Sequence, residues 1–133
     1  MKKMIPMLLL LSVALTGCAA PAPESQANTY RRITMPEAVE MMEKEENYII
    51  LDVRTRQEYA AGHIPGAIVI PNETIGTEDI PQLPDKDQLI MVYCRSGNRS
   101  KQASDKLVKL GYTNIVEFGG IIDWPRETVS GME

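Results

Sequence analysis

Two long apolar runs stand in the middle of the chain, Tyr48-Ile49-Ile50-Leu51-Asp52-Val53 and Leu89-Ile90-Met91-Val92-Tyr93. Neither alternates apolar with polar positions, so each predicts a strand covered on both faces rather than one half open to water. Residues 67–70, entered through Pro65-Gly66 and stopped by Pro71, predict a shorter strand. Ile115-Val116 with Phe118 predicts another, ended by Gly119-Gly120. Helical spacing separates these runs. Thr34-Met35-Pro36-Glu37 is a capping box with proline in the first turn. Ala38, Met41 and Met42 then form one apolar face, Glu43, Glu45 and Glu46 face water, and Asn47 closes the helix. A short helix over 56–61 ends at Gly62. Residues 99–110 place Ala103, Leu107 and Leu110 on one face, with Gly111 as the C-terminal cap. Residues 77–86, with two prolines and three acids, read as loop. Strands alternating with helices predict an α/β domain, a mainly parallel sheet with helices on both faces. In such sheets ligands bind at the carboxyl ends of the strands, which directs attention to the residues after Tyr93.

The first residues have a different character. Met1-Lys2-Lys3 is a cationic head, and residues 4–13 are apolar apart from Pro6 and Ser12. That run is shorter than the roughly 20 residues a membrane-spanning helix needs, and it has the length of a signal-peptide core. Leu15-Thr16-Gly17-Cys18 follows directly and resembles the lipobox of bacterial lipoproteins, in which the cysteine is acylated and becomes the first mature residue. Residues 1–17 are thus expected to be a signal peptide. Residues 18–28, rich in Pro, Ala, Ser and Asn, are expected to be an acylated N-terminus and flexible tether. Residues 29–133 form the folded domain. The expected location is the cell envelope, outside the cytoplasm and held to a membrane by acyl chains.

Composition narrows the chemistry. The chain has 133 residues, room for one domain, with 44% hydrophobic and 24% charged residues and a formal charge of -4. Without a basic stripe or interleaved aromatics it does not read as a nucleic-acid binder. A single histidine, His63, and two separated cysteines do not make up a zinc site, and no metal or cofactor is expected. If Cys18 is acylated, Cys94 is the only free thiol of the mature domain, an unusual state for an exported protein.

Cys94 leaves the second buried run and is followed by Arg95-Ser96-Gly97-Asn98-Arg99-Ser100, after which the helix proceeds. A strand-to-helix turn of this kind directs backbone N–H groups inward as an anion nest. The helix N-terminus adds roughly half a positive charge, and Arg95 and Arg99 add whole ones. All three favour thiolate over thiol. A small buried hydrophobe at a strand end is the bland alternative, but two arginines, a glycine and a serine are not what lines an apolar pocket. Gly97 is expected to take a tight or positive-φ conformation. Ser96, Asn98 and Ser100 read equally well as ordinary loop and cap residues. His63, Asp52, Arg54 and Glu58 read as structural, with Arg54 and Glu58 spaced to pair if helical.

At this point the chain resembles the rhodanese family. The resemblance rests on Leu51-Asp52-Val53-Arg54 with Glu58-Tyr59 and Gly62-His63-Ile64-Pro65-Gly66-Ala67, on Tyr93 to Ser100, and on Gly119-Gly120 with Trp124, in that order. It implies a rhodanese-like fold around a five-stranded parallel sheet. It also implies sulfurtransferase chemistry: Cys94 as nucleophile and persulfide carrier, and Arg95, Ser96, Gly97, Asn98 and Arg99 around a small sulfur anion such as thiosulfate. The acceptor would be a thiol or cyanide. Phosphatases and arsenate reductases of the same fold also run a cysteine-to-arginine loop, with five intervening residues. Only four separate Cys94 from Arg99, a smaller bowl that favours sulfur. A persulfide carrier that hands sulfur between partner proteins remains the other reading.

Overall fold

The computed structural model describes residues 29–132; the expected signal segment, Cys18 and the tether over 18–28 lie outside the described residues. Five parallel strands form the sheet: β1 (Arg31–Arg32), β2 (Tyr48–Asp52), β3 (Ile68–Val69), β4 (Leu89–Cys94) and β5 (Ile115–Gly120), in the order β1-β5-β4-β2-β3. The helices are α1 (Met35–Lys44), α2 (Arg56–Ala61) and α3 (Asn98–Lys109), with 3₁₀ turns at Asn72–Thr74 and Ile121–Asp123. The expected α/β fold with a five-stranded parallel sheet is therefore observed.

The two long runs do not alternate apolar with polar positions because both sheet faces are covered. Leu51, Ile90, Val92, Cys94 and Ile115 pack with Ala103 and Leu107 of α3. Their neighbours in sequence, Ile50, Met91 and Tyr93, point the other way and pack with Phe118, Met35 and Ala38 of α1 and Tyr59 of α2. Alternate residues thus feed two separate cores. Adjacent strands β2 and β4 then send their chains to opposite faces, β2 into α2 and β4 into α3. Such a divergence opens a crevice at the carboxyl edge of the sheet. Cys94 ends β4 at that point.

Local signals set the helix ends. Thr34 and Thr55 each accept from the amide three residues on, Glu37 and Glu58 reach back, and both capping boxes are complete. The α2 span matches expectation, whereas α1 stops at Lys44 with Glu45 as cap, before Asn47. The strand at 67–70 narrows to Ile68–Val69, and β5 runs on through Gly119 and Gly120 rather than stopping before them. The edge strand Arg31–Arg32 was not anticipated, since two exposed arginines carry no period; pairing with Val116 and Glu117 makes it a strand.

Candidate active site

At the end of β4 the Cys94 side chain turns toward α3, and the residue is 1% exposed. The Gly97 N–H donates to Cys94 Sγ at 3.0 Å. That contact depends on Gly97 adopting φ 112°, a left-handed conformation that a side chain disfavours. Gly97 is also the N-cap of α3 and supplies no side chain to cap it. First-turn amides of a helix have no intrahelical acceptors, and the N-terminus of α3, with the positive end of its dipole, begins at the N-cap, three residues beyond Cys94. Arg95, Ser96 and Asn98 are exposed around this turn, while Gly97 is buried within it.

Ser100, read from sequence as an ordinary cap or loop residue, is fully buried in the first turn of α3. Its Oγ lies 3.4 Å from Cys94 Sγ and accepts from the thiol. The same hydroxyl donates toward Glu117 Oε2 at 2.7 Å, with the carbonyls of Gly97 and Gly119 as further acceptors at 3.0 and 3.4 Å. Glu117 is only 2% exposed, and Oε2 also accepts from the Gly119 N–H at 2.7 Å. Its other oxygen faces Arg32 at 3.6 Å. Neither Ser100 nor Glu117 was singled out from the sequence as a site residue. The available signal was an acid in the middle of a strand buried on both faces, where an unpaired charge is expensive.

Gly120 fixes the height of the loop. A Cβ there would stand 2.6 Å from Ser96 Cα and closer still to the Arg95 carbonyl, so the loop backbone lies directly on β5. The Ile122 N–H holds that carbonyl from the same side at 3.3 Å.

Arg99 does not stand free. Its guanidinium makes a two-pronged contact with Glu58 at 2.7 and 3.0 Å, joining α3 to α2. Hydrogen bonding to Arg99 holds the Glu58 carboxyl down at about 2, and Thr55 adds to this. Arg99 is in turn raised, chiefly by the Glu58 hydrogen bond and also by the charges of Glu58 and Cys94. Arg54 and Glu58, spaced for an i,i+4 pair, do not meet. Arg54 precedes the Thr55 cap and so is outside the helix, and its side chain binds Asp52 at 2.6–3.1 Å and the Gly62 carbonyl at 2.7 Å.

Beneath the crevice, Asp52 Oδ2 accepts from Tyr93 OH at 2.7 Å, and that hydroxyl accepts from the Ile64 N–H at 3.1 Å. Burial, and then the Asp52 charge, push the Tyr93 phenol upward, so it stays a donor. These bonds clamp the carboxyl ends of β2 and β4 to the 62–64 segment. His63 is 1% exposed and stacks on Tyr59 at 3.6 Å. Its Nδ1 lies 2.8 Å from the Tyr59 carbonyl and must carry the proton, the structural role expected of it.

The chain is similar to known proteins. The Escherichia coli (strain K12) thiosulfate sulfurtransferase PspE is 36% identical over 81 residues, which is 61% of this chain and 78% of that protein. The thiosulfate sulfurtransferase GlpE of Pseudomonas entomophila (strain L48) is 32% identical over 102 residues, covering 77% and 90% respectively. Among solved structures, an E. coli rhodanese with anions aligns at TM-score 0.57 and 36% identity, over 63% of this chain and 99% of that one. The rhodanese-like domain of the Anabaena sp Alr3790 protein aligns at TM-score 0.69 and 27% identity, over 78% and 82%. Residues 34–127, well over half of the chain, match the Rhodanese-like domain, and the chain belongs to the rhodanese-like family.

Proposed function

We propose that this domain is a sulfurtransferase that moves sulfane sulfur from thiosulfate or a related donor through a persulfide on Cys94. The observation that carries the reading is the Gly97 N–H donating to Cys94 Sγ at 3.0 Å, at the uncapped N-terminus of α3. Both named relatives are thiosulfate sulfurtransferases, which supports the same reaction class here. The Cys94 thiolate attacks the outer sulfur of thiosulfate, a Cys–S–S bond forms, and the S–S bond of the donor breaks with its electron pair leaving on sulfite. The persulfide anion then gives its outer sulfur to a thiolate or to cyanide, and Cys94 leaves as thiolate again. Arg95, Ser96, Gly97 and Asn98 line the approach, with the Gly97 amide turned to the sulfur. Arg99, held by Glu58, adds positive charge at the rim. With β5 lying directly beneath Arg95 and Ser96, the four-residue loop suits one large atom better than a phosphoryl group.

The test is the intact mass of the purified domain after thiosulfate treatment: one added sulfur atom, lost on adding cyanide with release of thiocyanate. Cys94→Ser should gain no sulfur and make no thiocyanate while melting close to wild type. Turnover of aryl phosphates by a domain that acquires no persulfide would overturn the assignment.

The leader supports a place for this chemistry in the cell envelope, with Cys18 acylated. Cys18→Ser should move the full chain from the membrane fraction to the soluble one, and unchanged membrane association would refute the anchor.

A further inference from the structure

Persulfide chemistry needs the negative charge to reside on the inner sulfur when the site is empty and on the outer sulfur when it is loaded. Accepting the persulfide on Cys94, we propose that Glu117, acting through Ser100, is a positioning residue that biases the site toward the sulfur-loaded state.

The argument begins with one proton. The Ser100 hydroxyl has a single hydrogen and lies between Cys94 Sγ, 3.4 Å away, and Glu117 Oε2, 2.7 Å away. In the thiol form both needs are met: the thiol donates to Ser100, and Ser100 donates to Glu117. In the thiolate form Sγ and Glu117 compete for the same proton. The partners of Glu117 are those of a carboxylate, with Ser100 and the Gly119 N–H donating to Oε2 and Arg32 beside Oε1. Arg32 is 63% exposed in its side chain, so it offsets that buried charge only in part. Across Ser100, Glu117 Oε2 is no more than about 6 Å from Sγ, and negative charge on Sγ is favoured by Arg99 on α3 and disfavoured by Glu117 on β5.

Loading relieves the competition. The charge moves about 2 Å outward across the new S–S bond, and the Ser100 proton returns to Glu117. At an effective dielectric of about 20, that displacement alone favours the loaded state roughly threefold, and the regained charge-assisted hydrogen bond carries it to about tenfold.

The test uses the reversible first half-reaction. The protein is equilibrated with mixtures of thiosulfate and sulfite, and intact mass gives the sulfite-to-thiosulfate ratio at which half of Cys94 is loaded. Glu117→Gln, which keeps an acceptor for Ser100 and Gly119 without the charge, should lower that ratio by about three- to tenfold; a smaller fall or a rise overturns the proposal. Ser100→Ala removes the shared proton but keeps the Glu117 charge, so the ratio should fall by about threefold, less than in Glu117→Gln. A fall in this variant as large as that of Glu117→Gln, or no fall at all, overturns the proposal, because general loosening of the loop would lower both alike. If Glu117→Gln does not fold, Arg32→Gln on the exposed edge carries the test. Unmasking Glu117 should raise the ratio about twofold, and no rise overturns the proposal. No persulfide on the wild-type chain would overturn the function itself, whereas a loaded wild type with an unshifted Glu117→Gln overturns only the role of Glu117.

Discussion

Replacing Gly120 by alanine adds one methyl group, and the structure places that group inside the backbone of the active-site loop. The new Cβ would lie 2.6 Å from Ser96 Cα and nearer to the Arg95 carbonyl, where ordinary contact begins at 3.4 Å. Neither atom belongs to a flexible side chain, so residues 95–96 must withdraw from β5 by about 1 Å or more. Overpacking of this kind costs about 1–3 kcal/mol. The hydrogen bond from the Ile122 N–H to the Arg95 carbonyl, worth about 1 kcal/mol, is strained at the same time. Arg95 and Ser96 are exposed and free to lift, so the loss should fall near 1–2 kcal/mol, about 5–15 °C in melting temperature for a domain of this size. Function should suffer far more. Gly97 follows directly in the chain, and its N–H is held 3.0 Å from Sγ. Misplacing a reacting geometry by about 1 Å costs about a hundredfold in rate. Thiocyanate formation from thiosulfate and cyanide, with melting by circular dichroism, measures both. Gly119→Ala is the control: φ there is +95°, but its Cβ would meet nothing within 4 Å among the described residues. It should lose about 1–2 kcal/mol to the left-handed conformation and retain most of its rate. Gly120→Ala working within fivefold of wild type, or Gly119→Ala losing as much, would refute the reasoning.

Three further outcomes are expected. Ser104 Oγ, buried in α3, has no hydrogen-bond partner among the described residues, so Ser104→Ala should raise stability by up to about 1 kcal/mol, and a lower melting temperature would refute this. The Glu58 carboxyl is lowered from 4.5 to about 2 in the folded chain, so its stabilising contribution is complete above the unfolded value and fades as pH falls through the folded one. The stability gap between wild type and Glu58→Gln, about 1 kcal/mol for this half-exposed pair, should narrow steadily from about pH 5 to pH 3, and a constant gap would contradict the assignment. Arg99→Ala should raise KM for thiosulfate about tenfold and leave kcat within about threefold, because its guanidinium is fastened to Glu58 at the rim; a fall in kcat at constant KM would place it on the transition state instead.

The sequence by itself determined the features that depend on short stretches of chain. Apolar runs at 48–51 and 89–93 specify strands covered on both faces, because a half-open strand would show polar alternation. The threonine–glutamate pairs at 34/37 and 55/58 specify helix starts, since a capping box spans only four residues. Cys94 and Gly97 are legible for the same reason, as a thiol at a strand end and a glycine at a turn before a helix. Partners across the sheet are another matter. Glu58 sits four residues from Arg54 but binds Arg99, 41 positions away, because the cap at Thr55 leaves Arg54 outside the helix. Ser100 meets Glu117 and Arg95 lies against Gly120 only because β5 pairs with β4. Register between strands is set by the packing of two whole cores at once, and no local pattern carries it. The tertiary structure therefore decided what surrounds the sulfur, after the sequence had decided where the sulfur would be.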